Sequence, residues 1–404
     1  MVYAVRPVTM DRIRTFELPG VQDLSKEQEA ARALPEEGRH LVIGGPGTGK
    51  SVLALLRARR NHQDGVPYLF LVFNHLLHQA TKQLFGDKLE SRTWMSWFHE
   101  IFWQIAEEPV PKLGAGGDQF LPIDWNGVAK IIANLPEIRS IDRPFLIIDE
   151  GQDMPPQFYH SLVNLGFENF FVVADQNQQI TEENSTIADI RKVLDIGLEE
   201  VVRLTRNYRN PRSVAELAAH FCTDERSSTR PELPGRVSAA APLLYEYQGD
   251  QLDRVASGIA MRAFRNPREL IGVMTPNNAV RERYFEALGR AIDRRRKVHA
   301  DISTPRVATF HGEHRADVAF DEGGILVINA QACKGLEFDV SILADIDEHD
   351  VPVADSDRMS RLFYVMVARS KDRVYMVQNR NSRRSPRLEE ILPGDRGTLV
   401  RKSV

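Results

Sequence analysis

The sequence predicts an α/β protein of mainly parallel sheets, with helices on both faces, divided into two domains. Three observations carry that prediction. Short apolar runs at 41–43, 68–73, 145–148, 170–174 and 325–328 contain no polar interruption, as expected of strands buried on both faces. Longer stretches of helical, amphipathic period follow most of them, the alternation that gives helix-covered parallel sheets. The chain also has 404 residues, more than a single hydrophobic core ordinarily serves.

Composition narrows the class. Hydrophobic residues make up 42% and charged residues 27%, the balance of a folded globular chain rather than a disordered one. Charges interrupt the N-terminal run MVYAVRPVTMDRIRTF, so it has no signal-peptide core. No apolar run approaches bilayer-spanning length. The expectation is a cytoplasmic protein with no membrane contact. The two cysteines, Cys222 and Cys333, have neither metal-ligand spacing nor a disulfide framework. A net charge of −4 neither demands nor excludes nucleic acid, because a basic groove can lie on a mildly acidic protein.

Residues 44–51 read GGPGTGKS, preceded by the strand signal at 41–43 and followed by a helical run. That strand–loop–helix context is what a phosphate-binding loop requires. Its glycines, Gly45, Gly47 and Gly49, let backbone N–H groups curl around phosphate oxygens, with Thr48 in the same loop, and the following helix adds its positive end. Lys50 is expected to reach the β- and γ-phosphates of ATP and Ser51 to ligate Mg²⁺. The strand at 145–148 ends in Asp149-Glu150-Gly151-Gln152-Asp153. Acids at the C-terminal end of a strand lie where α/β sheets place ligand chemistry. Downstream of a phosphate loop, Asp149 is read as a Mg²⁺ ligand and Glu150 as the base that orients and deprotonates an attacking water.

With these residues in place the chain resembles the UvrD/Rep-like superfamily 1 helicases. DEGQD (149–153) is similar to motif II. LSKEQ (24–28) resembles the Q motif, VVADQNQQI (172–180) motif III, LTRNYRNP (204–211) motif IV, QACKGLEFD (331–339) motif V and RLFYVMVARS (361–370) motif VI. The resemblance implies two RecA-like lobes, 1–200 and 201–404, with a small insertion near 100–140 and the ATP site between them. It also implies roles. Gln28 would hydrogen-bond adenine, Gln178 would sense the γ-phosphate, Tyr208 would stack on adenine, and Gly335 and Glu337 would lie near the sugar and phosphates. Arg209 and Arg369 would act as arginine fingers. Single-stranded DNA is the implied track, with RNA as the alternative. Phe73, Asn74, Thr93 and Trp94 would contact it, although ordinary core packing competes for the aromatics.

Several positions depart from the family pattern. The residues after Ile180, Thr181-Glu182-Glu183-Asn184, lack the aromatic pair on which bases stack. Asn329 and Gln331 stand where motif V usually has Thr and His, and Val52 where an Arg often follows the P-loop. The large accessory domain of the second lobe has no room in the sequence. The nucleotide site thus reads as nearly intact and the nucleic-acid track as altered. That leaves a second reading, a helicase-like NTPase switch or regulatory subunit of a multi-protein complex, with little unwinding of its own; a partner subunit is expected either way. A P-loop small-molecule kinase explains 44–51 but not the later motifs. The acidic run at 345–350 reads as a loop, and the basic run at 294–297 as a solvated helical surface.

Overall fold

The computed structural model describes residues 13–14, 21–73, 78, 89–114, 121–135, 142–175, 184–223, 232–237, 240–298, 303–310, 318–349, 356–380, 386–395 and 397–403. Among them the chain builds two parallel sheets, each covered by helices on both faces, the architecture of two RecA-like lobes. Both cysteines are free. No helix among the described residues is long and apolar enough to cross a membrane.

The first lobe runs α1 (Lys26–Arg32), β1 (Arg39–Gly44), α2 (Lys50–Gln63), β2 (Tyr68–Val72), β3 (Ser91–Thr93), α3 (Trp94–Ala106), α4 (Trp125–Ala133), β4 (Phe145–Ile148), α5 (Pro156–Asn164), β5 (Phe170–Ala174), α6 (Ile187–Val193) and β6 (Val202–Leu204). Its strands lie in the order β3-β2-β4-β5-β1-β6. Successive strand side chains point to opposite faces, and both faces here are apolar. Leu41 and Ile43 of β1, with Leu146 and Ile148 of β4, pack under α3 to α6. Val42, Phe145 and Ile147 pack on the other side under α1 and α2. α3, a bridge between Lys112 and Ile123, and α4 all join the main core of this lobe.

β6 pairs with β1, Val42 opposite Val202. The first sheet therefore extends to Leu204, a few residues past the boundary at 200 read from the sequence. The second lobe follows with α7 (Arg212–His220), β7 (Leu243–Tyr247), α8 (Leu252–Arg265), β8 (Leu270–Thr275), α9 (Asn278–Val298), β9 (Arg306–Thr309), β10 (Gly324–Asn329), β11 (Phe338–Leu343), α10 (Ser356–Ala368), β12 (Ser370–Asn379), α11 (Pro386–Ile391) and β13 (Val400–Ser403). The order is β13-β7-β12-β11-β8-β10-β9. One face packs on α7, α10 and α11, the other on α8 and α9.

The paired cores make a direct prediction. Leu146→Ala opens a cavity beside the centre of the first sheet and should cost about 2–5 kcal/mol in denaturant unfolding. Val237→Ala, at a position 80% exposed, should leave the midpoint unchanged. Equal midpoints for the two variants would contradict this packing.

Candidate active site

Parallel pairing brings the C-terminal ends of β1, β5 and β4 to one edge of the first sheet. The loop after β1 turns sharply into α2. Gly47 and Gly49 hold φ of +74° and +93°, backbone that a side chain strains. Space forbids a Cβ as well: one on Gly47 would collide with the Asn207 carboxamide, and one on Gly49 would come 2.5 Å from Gln28 Nε2. Within the loop Thr48 Oγ1 donates to Gly45 O at 2.8 Å, and Lys50 Nζ donates to the same oxygen at 2.8 Å. Lys50 also lies 3.5 Å from Asp175, at the end of β5. The loop and the first turn of α2 form the N–H-lined cradle that suits a polyphosphate.

Gln28 sits against this loop. With Ser25 it closes a capping box at the start of α1, and its Nε2 donates to Thr48 O at 2.9 Å. In this arrangement the side chain braces the phosphate loop. Its neighbour Glu27 accepts from Thr205 N and Oγ1 at 2.8 and 2.7 Å, fastening α1 to the segment that leaves β6.

The two acids of the first lobe meet the loop from β4. Ser51 Oγ donates to Asp149 Oδ1 at 3.2 Å, a hydroxyl and a carboxylate side by side, the hard oxygen donors that Mg²⁺ takes. Burial, then the charge of Glu150, pushes the Asp149 carboxyl up to about 7. The hydroxyl–carboxylate pair of Ser51 and Asp149 is a donor set that fits Mg²⁺. Burial would raise Glu150 too, but Lys334, Arg369 and Lys50 outweigh it and hold its carboxyl below the usual range. Glu150 occupies the left-handed region with φ +54°, a strained backbone for a residue with a Cβ. Gln152 Nε2 donates to Glu150 Oε2 at 2.8 Å, while Asp175 N donates to Gln152 Oε1 at 2.8 Å. Gly151 is obligatory in this turn, because a Cβ there would strike Val172 and the Tyr159 hydroxyl.

The second lobe contributes through a framework of amides. Asn207 Oδ1 accepts from the backbone N–H of Arg209 and Asn210, at 3.0 and 3.1 Å. Asn210 Nδ2 donates to Ala368 O and Ser370 O at 3.1 and 2.6 Å, the residues on either side of Arg369. One carboxamide thus holds the loop of Arg209 to the turn of Arg369. Tyr208 N donates to Gly47 O at 2.8 Å, tying the same loop to the phosphate loop. Arg369 Nη1 lies 3.8 Å from Glu150 Oε1. Arg209 pairs with Glu337, which also meets Lys371 at 2.9 Å. Burial would raise the Glu337 carboxyl, but Arg209 and then Lys371 bring it to about 2. Gly335 turns the chain at φ +78° just before it. A second cross-lobe pair, Lys334 with Asp153, is almost fully buried, at 1% and 0% side-chain exposure.

The structure thus gathers Gln28, Gly45, Gly47, Thr48, Gly49, Lys50, Ser51, Asp149, Glu150, Tyr208, Arg209, Gly335, Glu337 and Arg369 around one inter-lobe region. Gln178 and Asn74 lie outside the described residues. Trp94 is 5% exposed and its ring packs edge-on against Phe158 at 5.1 Å, as the core-packing alternative expects. An apolar ring at the first turn of α3 gains more from the core than from the cleft. Thr93 is buried beside it, and Phe73 is half-buried against the same core. Asp175, Gln152, Lys334, Asp153, Asn207 and Asn210 were not singled out individually. All lie inside the motif-like runs, but a partner remote in sequence leaves no local signal.

Removing one member of a buried ion pair leaves the other charge stranded, at about 3–5 kcal/mol. Lys334→Met and Asp153→Asn should each lower the unfolding midpoint strongly. The double variant Lys334→Met/Asp153→Leu should lose much less than the sum, and additive losses would show that the two charges do not interact.

No protein-family profile matches the chain, and no curated protein matches it. Among solved structures it is similar to the C-terminal domain of a possible DNA helicase from Lactobacillus plantarum WCFS1, with 15% identity over 48% of this chain and 98% of that one and a TM-score of 0.33. A likeness at that score carries no argument about this chain.

Proposed function

We propose that this chain is an ATP hydrolase of the UvrD/Rep-like superfamily 1 type, a minimal motor that couples Mg²⁺-dependent hydrolysis to movement along single-stranded nucleic acid. One observation carries the reading: a phosphate loop, a hydroxyl–carboxylate pair, a strained buried carboxylate and two arginines from separate motifs converge between two RecA-like lobes. Phosphoryl transfer needs positioning and charge neutralisation more than covalent chemistry, and these residue types supply both.

In this reading the Gly45–Ser51 backbone grips the β- and γ-phosphates, and Lys50 exchanges its bond to Gly45 O for a phosphate oxygen. Ser51 and Asp149 hold the metal. When bound, Mg²⁺ neutralises charge on the phosphate oxygens. Glu150 takes the proton of the attacking water, oriented by Gln152, and Arg209 and Arg369 face the charge that develops on the transferred group. Tyr208 is 44% exposed, with the Arg206 guanidinium 5.4 Å over its ring, and it offers a face to adenine. Gln178 reports the γ-phosphate. Because the arginines enter through motifs IV and VI, phosphate release loosens the contact between lobes and drives their opening. DNA is the proposed track ahead of RNA on the resemblance alone.

The burial of Trp94, together with the lack of aromatics at 181–184, favours a second reading: an NTPase switch whose closure signals to a protein partner. Steady-state ATP hydrolysis with and without single-stranded DNA or RNA separates the two. The motor reading expects marked stimulation by one nucleic acid. It also expects a loss of about 10²–10⁴-fold in Glu150→Gln and about 10³–10⁵-fold in Arg369→Ala, with Lys50→Ala inactive. Turnover indifferent to nucleic acid would sink the motor and leave the switch. No turnover in the wild-type chain would sink both as autonomous activities.

A further inference from the structure

The second sheet leaves part of one face open. α8 and α9 cover that face over β8, β10 and β11, but toward β12 and β7 no described helix follows. The result is a groove of about 430 Å³ between α8 and the two strands. Its floor is apolar, with Ile271, Ile342 and Val377. Its far wall carries Tyr245 and Tyr375, both half-buried, with ring centroids 6.0 Å apart and planes tilted by 36°. The near wall is the exposed face of α8.

That face is unusual in two ways. Arg254 and Arg265 are exposed, and among the described residues neither makes a hydrogen bond or ion pair. Arg262 between them is already matched by Glu269, at 2.8 and 2.9 Å, and by Asp372 at 3.7 Å. Across α8, Arg295 is likewise without a partner, while Arg294 lies 3.7 Å from Asp253. Unmatched guanidiniums on a chain of net charge −4 make a local positive surface that the overall balance does not predict. Midway along the helix stands Gly258, exposed, with nothing within 4 Å of where its Cβ would be. Glycine in a helix interior is unfavourable relative to alanine, and no neighbour requires it here. Its effect is to leave the groove unobstructed beside α8.

We propose that this groove is a contact site for single-stranded nucleic acid, separate from the inter-lobe cleft: a base lies against Tyr245 and Tyr375, and the flanking phosphates meet Arg254 and Arg265. Every base has a π-face for a tyrosine ring, and guanidiniums bind phosphate in a planar fork. Arg254 and Arg265 are eleven residues apart on one helix face, about 16 Å, so they address different phosphates of a strand and not one anion. An acidic peptide would use the arginines but has no need of paired aromatic rings over an apolar floor. The groove also lies on the face opposite α7 and α10, the helices adjoining Arg209 and Arg369. The proposal goes beyond the hydrolytic reading and does not depend on it, because binding here is read without ATP.

The test is photocrosslinking of the full chain to a short oligothymidylate carrying 5-iodouracil, without nucleotide, with the adducts mapped by mass spectrometry. The proposal expects adducts on the peptides holding Tyr245 or Tyr375. In Arg254→Ala/Arg265→Ala these adducts should fade, and the slope of log affinity against log salt at this site should flatten by about 1.4, while ATP turnover without nucleic acid stays at the wild-type level. Adducts confined to other peptides would overturn it. So would displacement of the oligonucleotide from these two peptides by polyglutamate of matched charge, which would assign the groove to an acidic protein partner.

Discussion

The insertion of β5 between β1 and β4 is the constraint on which the site rests. Parallel pairing in that order sets the ends of three strands side by side, so Ser51 and Asp149, far apart in sequence, come within a hydrogen bond. It also puts Asp175 where it can meet both Lys50 and Gln152. Without β5 the phosphate loop and the acids would still form locally, but nothing would fix the distance between them. Strands buried on both faces cannot slip by one residue without turning each apolar side chain to the opposite core, so the register is held by the same burial that holds the fold.

The second lobe is joined to this edge by a few polar links, among them Tyr208 N donating to Gly47 O. Within the second lobe, Asn210 reaches both neighbours of Arg369 while Asn207 shapes the loop of Arg209. A carboxamide is suited to this because it donates and accepts without carrying charge into a site already crowded with ions. Lys334–Asp153 and Arg369–Glu150 add charge across the boundary. Buried pairs of this kind are weak sources of net stability, but they are unforgiving of misalignment.

Much of this was legible in the sequence, for identifiable reasons. The apolar runs at 41–43, 145–148 and 170–174 became strands because buried parallel strands need no polar alternation. The phosphate loop was readable because it is local: its glycines, lysine and serine act within a few residues of one another. Trp94 stays open between core and cleft in the sequence, because an aromatic near a cleft reads the same whether it faces in or out and its packing partner Phe158 is remote. The short edge strands β3 and β6, three residues each, were not read, since they carry too little pattern to rise above the surrounding loops. The brace formed by Gln28 and the bridge formed by Asn210 depend on partners that are remote in sequence, and no local spacing encodes them.

Glu150 carries a further consequence. Its left-handed backbone is of the kind that costs about 1–3 kcal/mol for a residue with a side chain, and glycine would adopt the same turn freely. Glycine would relieve the backbone but strand Arg369 and Gln152, which the buried carboxylate meets. Ranking substitutions by backbone strain alone would favour erasing the group that the proposed reaction requires.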